Sequence, residues 1–207
     1  MDGEGRPADE PAAESPLRSE RYVVAIDLGT SGPKVAIATT AGRIVAHDSE
    51  PVPVLLGDGG GAEQDPEAWY LAVRAALHRL LARGVAPVAA IEAFSGTSQW
   101  MGTVAVDAGG RAIGNAIIWM DRRGAPYSQA VTGGRPYAPG TEYNAMKLRR
   151  WIQSTGGLPS KSGKDPVGHI LWLMHERPDL YAQARTFLDV PDYLNLRLTG
   201  RACAAYD

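Results

Sequence analysis

The sequence predicts an α/β domain, a mixed sheet flanked by helices, and three observations carry that prediction. Short apolar runs rich in β-branched residues crowd the first half of the chain, at residues 23–26, 35–38, 88–94 and 116–119. One segment among them, residues 66–83, instead spaces its apolar residues helically (Trp69, Val73, Ala76, Leu77, Leu80 and Leu81), which builds one buried face. Helical patterns dominate the second half. Strands and helices that each bury one face pack as layers around a shared core, and 207 residues suffice for one full domain or two small ones.

In order along the chain, residues 1–20 are acidic and rich in Pro and Ala, which predicts a disordered tail followed by a domain over residues 21–207. The first strand ends at Asp27, a turn of Gly29, Thr30, Ser31 and Gly32 follows, and the second strand starts after Lys34. Residues 44–46 resume the sheet and residues 52–56 continue it, before the glycines at 57–61 make a flexible loop. Asp65 is placed to cap the long helix, with Pro66 at its first position and Gly84 beyond its end. Residues 88–94 read as a strand that stops at Ser95-Gly96-Thr97-Ser98, and residues 103–106 as a strand closed by the Asp107–Gly110 turn. Residues 116–119 run into Met120-Asp121-Arg122-Arg123. The pattern blurs from 124 to 164, with a helix at 144–153. A clearer helix follows at 167–177, stopped by Pro178, then a helical turn at 179–184, a strand at 186–188, and a helix at 191–198 ended by Gly200.

Composition narrows the function classes. Hydrophobic residues make up 44% and charged residues 21%, ordinary for a globular protein, and the net charge of -2 points to neither nucleic acid nor anionic membrane. No apolar run is long enough for a membrane span, and the N-terminus lacks the basic-then-apolar order of a secretory signal. The single cysteine, Cys203, excludes an internal disulfide and is consistent with a reducing cytoplasm. His47, His78, His169 and His175 are scattered without ligand spacing and read as surface or helix residues.

Three strand ends carry chemistry-bearing groups. Strand, carboxylate, Gly/Thr/Ser turn, base, strand is suited to holding phosphate and a divalent metal. Glycines let backbone approach phosphate oxygens, successive N–H groups make an anion-binding concavity, and a carboxylate such as Asp27 faces hydrated Mg²⁺. The same order also describes a plain hairpin. The second strand end is Ser95 to Gly102, with Gln99, Trp100 and Met101. The third is Trp119 with Asp121, Arg122 and Arg123. Paired acceptors and donors suit sugar hydroxyls, and an aromatic wall suits sugar C–H faces. Trp119 otherwise fills the core, and Asp121 with its arginines otherwise forms a surface ion pair.

Taken in order, these segments resemble the FGGY carbohydrate kinases, in particular the N-terminal domain of the xylulokinase-like members. AIDLGTSGPKVAI resembles the family's first phosphate motif, and AEQDPEAWY the segment leading into its first long helix. GTSQWMGTVAVDAGGRAIGNAIIWMDRR resembles its turn, hairpin and W-x-D-x-R element, and FLDVPDYLNLRLTGRACAAYD its P-x-D-Y-L-x-x-R-L-T-G segment. The resemblance implies an RNase-H-like fold of the actin/hexokinase ATPase type and ATP-dependent phosphorylation of a sugar or polyol hydroxyl. It implies ATP and Mg²⁺ at Asp27, Gly29, Thr30, Ser31 and Lys34, and substrate contacts at Gln99, Trp100, Met101, Trp119, Asp121 and Arg122. Xylulokinase-like members carry Gln-Met-His-Gly at the second turn and glycerol kinases Gln-Arg-Glu-Thr. Gln99-Trp100-Met101-Gly102 matches neither, so the sugar is left open. The resemblance also implies a general-base aspartate beyond Asp207, a C-terminal ATP-binding domain that this chain lacks, a homodimer among the full-length assemblies, and no activity for the chain alone. The competing readings are a non-catalytic sugar-binding or regulatory module or truncated gene product retaining the fold, and a nucleotide-dependent regulator of the actin/Hsp70 type.

Overall fold

The computed structural model describes residues 20–204. Residues 1–19 of the expected tail and Asp207 lie outside the described residues. Glu20 is held in place, accepting from Arg43 and from the Tyr22 hydroxyl.

Strand β1 (Tyr22–Gly29) turns directly into β2 (Gly32–Thr39), with Asp27 opposite Lys34 and Gly29 opposite Gly32. Alternation buries Val24, Ile26 and Leu28 on one face of β1, which leaves Asp27 on the other. Thr30 and Ser31 alone form the connection, shorter than the four-residue turn expected. Strand β3 (Ile44–Ser49) pairs antiparallel with β2. Residues 52–56 do not continue this sheet. Strand β4 (Leu55–Gly57) pairs instead with β5 (Gly61–Gln64) in a second sheet. The glycines expected as a flexible loop are therefore the tip of a hairpin. Gly59 and Gly60 take φ of 66° and 84°, which glycine adopts without penalty, and the Arg122 N–H pins the Gly60 carbonyl at 3.0 Å.

Helix α1 (Pro66–Ala82) starts as expected, the Asp65 carboxylate accepting from the Glu67 N–H at 2.9 Å. Its Trp69, Val73, Ala76 and Leu80 are buried with the inner face of β1 and β2. Strand β6 (Ile91–Ser98) runs parallel to β1 and absorbs residues 95–98, expected as a turn. Those small polar residues lie on an exposed strand, where an apolar period is not required, and so give no strand signal. The principal sheet has the order β3-β2-β1-β6, mixed as expected. Strand β7 (Val104–Val106) pairs with β9 (Thr186–Leu188), and β8 (Ala116–Ile117) joins β5.

Helix α2 (Ala125–Thr132) occupies the blurred stretch and was not expected, because glycines and Pro126 hide its period. Helix α3 (Ala145–Thr155) is capped by Asn144, and α4 (Pro166–Glu176) by Asp165. After the short α5 (Pro178–Gln183), α6 (Val190–Thr199) packs Val190, Tyr193 and Leu194 into the core.

The hairpin tip is clamped from outside. The Val52 N–H reaches the Ser31 carbonyl at 3.1 Å and the Glu50 N–H the Pro33 carbonyl at 3.2 Å. Gly32 sits under this strap at φ +124°, and a Cβ there would meet the Glu50 carbonyl oxygen at 2.1 Å. Both the backbone angle and the overlap oppose a side chain. Gly32→Ala is expected to lower the unfolding free energy by about 3 kcal/mol in denaturant titration. Gly42→Ala shares a positive φ of +89° but meets nothing within 4 Å, and serves as the control, expected to lose about 1 kcal/mol. Equal losses would show that the strap imposes no packing constraint.

Candidate functional site

The cleft is built outward from the hairpin. Asp27 and Lys34 face each other across β1 and β2, Oδ2 to Nζ 3.6 Å, both more than half exposed. Such a pair adds little stability and leaves the carboxylate open to a ligand. At the tip, the Thr30 and Ser31 N–H groups donate to no protein acceptor among the described residues.

Behind the tip, Gln64 is fully buried at the end of β5. Its Nε2 donates to the Thr30 carbonyl at 2.8 Å and, more weakly, to the Val52 carbonyl at 3.4 Å. Its Oε1 accepts from Trp69 Nε1 at 3.2 Å and from Gln99 Nε2 at 2.8 Å. Gln99 Oε1 accepts from the Thr30 hydroxyl at 3.1 Å, and that hydroxyl accepts from Trp119 Nε1 at 3.0 Å. The Gln99 N–H continues the line of β6, reaching the Leu28 carbonyl at 2.8 Å. Beyond it the chain turns sharply. Met101 takes φ 57°, uncommon for a residue with a side chain. Trp100 projects outward, 74% exposed. The Gly102 N–H is caught by the Asp189 carboxylate that also caps α6, and a Cβ at Gly102 would overlap Val190.

The hairpin tip and the turn after β6 open onto a cavity of about 520 Å³. Asp27, Gly29, Thr30, Gln99, Trp100, Met101 and Trp119 of the expected site meet there, joined by Ser98, Ser160, Ser162 and Lys164. Trp119 is 42% exposed and lines the cavity, so it does not fill the core. Lys164 lies over its ring with Nζ 5.6 Å from the centroid. Ser31 and Lys34 stand outside the lining.

Asp121 and Arg122 are elsewhere. Asp121 is 1% exposed, and its oxygens accept from the N–H groups of Ala62 and Arg123 and from the Arg123 guanidinium. The paired arginine is Arg123, which also reaches Glu63 at 2.6 Å and lies over the Trp172 ring at 3.7 Å. This is neither a surface ion pair nor a carboxylate open to a sugar. It ties the β5 and β8 region to α4. Arg122 packs over Gly60.

Of the four histidines, read as surface or helix residues, His169 is the helix residue that lies in the interior. It is fully buried on α4, with Nδ1 3.0 Å from Thr103 Oγ1 and Nε2 without a partner among the described residues. Burial pushes its imidazole down to about 4; Asp121 opposes this and Arg123 reinforces it. His47, His78 and His175 are exposed as expected. Among the described residues no three metal-ligating side chains cluster.

Gln64, Ser160, Ser162 and Lys164 were missed. The signal for Gln64 is an uncharged amide at an inward position of a short strand, two residues after buried Ala62. The serines and Lys164 come from the stretch without periodic pattern, and no sequence signal marks them.

A mixed sheet begun by a clamped hairpin, with an open cleft at its tip, is an α/β architecture of the actin/hexokinase-like ATPase type. The chain matches the FGGY family of carbohydrate kinases, N-terminal domain, over residues 22–206, and it belongs to that family. The xylulose kinase of Streptomyces coelicolor is 32% identical over 192 residues, covering 91% of this chain and 35% of the relative. That of Bacillus subtilis is 28% identical over 180 residues, covering 87% and 33%. Among solved structures, a xylulose kinase from Brucella ovis superposes with TM-score 0.75 at 25% identity, covering 87% of this chain and 34% of the other. A gluconate kinase from Lactobacillus acidophilus gives TM-score 0.74 at 23% identity, covering 89% and 34%. The chain thus spans about one third of the length of these relatives.

Two outcomes follow from the buried polar groups. Asp121→Asn leaves the Arg123 guanidinium short of a counter-charge, and is expected to cost about 3 kcal/mol in denaturant titration; a loss below about 0.5 kcal/mol would mean that the pair is not holding this region together. For His169, the folded pKa lies below the unfolded one. Its contribution is complete above pH 6.5 and is lost as pH falls from 6.5 toward 4, to a total of about 3 kcal/mol. The melting temperature should fall between pH 7 and pH 5, and His169→Gln should flatten that slope. An unchanged slope in the variant would remove His169 as its source.

Proposed function

We propose that residues 21–207 form part of the first domain of an ATP-dependent kinase that phosphorylates a sugar or polyol hydroxyl, and supply one wall of its cleft. The observation that carries this reading is the shared cavity, where Asp27 and the open turn lie beside two exposed indoles. Phosphoryl transfer depends on placing the acceptor in line and neutralising charge on the phosphate oxygens. In this reading the Thr30 and Ser31 N–H groups take phosphate oxygens. Gly29 has no side chain to block the approach, and Lys34 offsets charge at the rim. Asp27 fits Mg²⁺, because that ion needs only one or two carboxylates and keeps its water. When bound, MgATP supplies the phosphoryl group and the metal charge that offsets it. Trp100 and Trp119 cover the apolar face of the sugar, Met101 fills the space between turn and wall, and the Gln99 amide holds the turn against the cleft. Asp121 and Arg122 are given no substrate contact, since the first is consumed internally and the second lies outside the cavity. The general base and the adenosine contacts come from outside the described residues. The lone exposed thiol, Cys203, suits work in a reducing cytoplasm.

The test is coupled ADP release by the full-length gene product with D-xylulose, gluconate and glycerol. One of these is expected to drive ADP release, while residues 1–207 alone bind it without turnover. Asp27→Asn is expected to lower kcat by about 100-fold or more, with the sugar KM little changed. Absence of both polyol-dependent ADP release and any polyol-induced thermal shift would overturn the reading. Binding without release by the full-length product would favour the non-catalytic module.

A further inference from the structure

The cleft contains a chain of side-chain hydrogen bonds whose direction is set at both ends by tryptophan. An indole N–H donates and never accepts. Trp69 Nε1 points at Gln64 Oε1, so that atom is an acceptor. Turning the Gln64 amide over would set NH₂ against an indole N–H and oxygen against the Thr30 and Val52 carbonyls. With Gln64 held this way, Gln99 has to present its NH₂ to Gln64 and its oxygen to Thr30. Trp119 Nε1 donates to Thr30 Oγ1 from the other end. The single Thr30 hydroxyl proton therefore goes to Gln99.

A threonine hydroxyl has one proton and two lone pairs. Here the proton and one lone pair are used. The remaining lone pair belongs to a half-buried side chain that lines the cavity. It calls for a donor. Phosphate oxygens of a nucleotide are acceptors at neutral pH, and for Thr30 Oγ1 to serve one it would have to abandon Gln99, an amide that is itself buried.

We infer that the Thr30 side chain reads a hydroxyl of the sugar or polyol, accepting its proton in a hydrogen bond, while phosphate is met at this turn only by backbone N–H groups. This rests on the kinase reading above and divides the turn: its backbone faces the nucleotide and its hydroxyl faces the acceptor. Thr30 is then a specificity-determining residue, not a phosphate ligand through its side chain.

Thr30→Val keeps the shape and removes the acceptor; Thr30→Ser keeps it. In steady-state assays of the full-length protein with the best of D-xylulose, gluconate and glycerol, Thr30→Val is expected to raise the polyol KM by about 10-fold or more. The ATP KM should stay within about 2-fold, and Thr30→Ser should restore the polyol KM. Deoxy analogues of the same polyol test the wild-type protein directly. One analogue should lose about as much as Thr30→Val loses, and Thr30→Val should not distinguish that analogue from the parent. A rise in ATP KM with an unchanged polyol KM would place the hydroxyl on phosphate and overturn the inference alone. So would a deoxy series without any such match, which needs no variant to fold. Failure of the wild-type protein to bind or turn over any of the three polyols overturns the kinase reading, and this inference with it.

Discussion

The buried side-chain amide of Gln64 is the joint on which the cleft depends. Five hydrogen bonds to one group join the hairpin tip, the strap at Val52 and Pro53, the core helix at Trp69 and the turn after β6 at Gln99. A buried amide left half-satisfied is costly, so such a network is stable only when every member is in place. The arrangement makes the separately coded segments one unit. Moving the hairpin tip breaks a bond to Gln64, and moving Gln64 releases Gln99 and with it the loop carrying Trp100.

The strap over Gly32 and the Asp189 carboxylate perform the matching task at the two ends of the site. One presses the tip from outside through backbone bonds at residues 50–52. The other draws the Gly102 N–H onto the start of α6. Between them the cleft wall is rigid where it is built from backbone and open where it presents Asp27, Trp100 and Trp119. That division suits a surface whose partner groups arrive from outside: fixed N–H donors need no reorganisation, and exposed aromatic faces have little to lose when covered. The Asp121–Arg123–Glu63 cluster and His169 lie behind this wall and support it without entering the cavity. The W-x-D-x-R stretch delivers a tryptophan to the cleft and a carboxylate to the interior because the chain leaves β8 and turns at Trp119 and Met120, the Asp121 N–H closing on the Ile118 carbonyl at 2.9 Å.

Much of the architecture was readable because its signals are local. The apolar runs of β1 and β2, the apolar stripe of α1, the Asp65 cap with Pro66, and the Gly84 and Gly200 stops each follow from a few neighbouring residues. The errors have the same origin. Gly57 to Gly61 look flexible in isolation, and become a hairpin tip only because β5 finds β8 and Arg122 reaches Gly60. Ser95 to Ser98 look like a turn, and become a strand because β1 offers a parallel edge. Helix α2 has too few residues between glycines to show a period.

The order of motifs alone was sufficient to place the chain among carbohydrate kinases and to name Asp27, Thr30, Gln99, Trp100, Met101 and Trp119 as candidates, which the fold then brings to one cavity. Which arginine pairs with Asp121, that the pair is buried, that His169 is interior, and that Gln64 directs the Thr30 proton all depend on contacts between residues dozens of positions apart. Such contacts exist only after the layers close. A hydroxyl in the sequence is both donor and acceptor; where its proton goes is fixed only when folding brings a donor-only indole to one side of it and a fixed amide oxygen to the other.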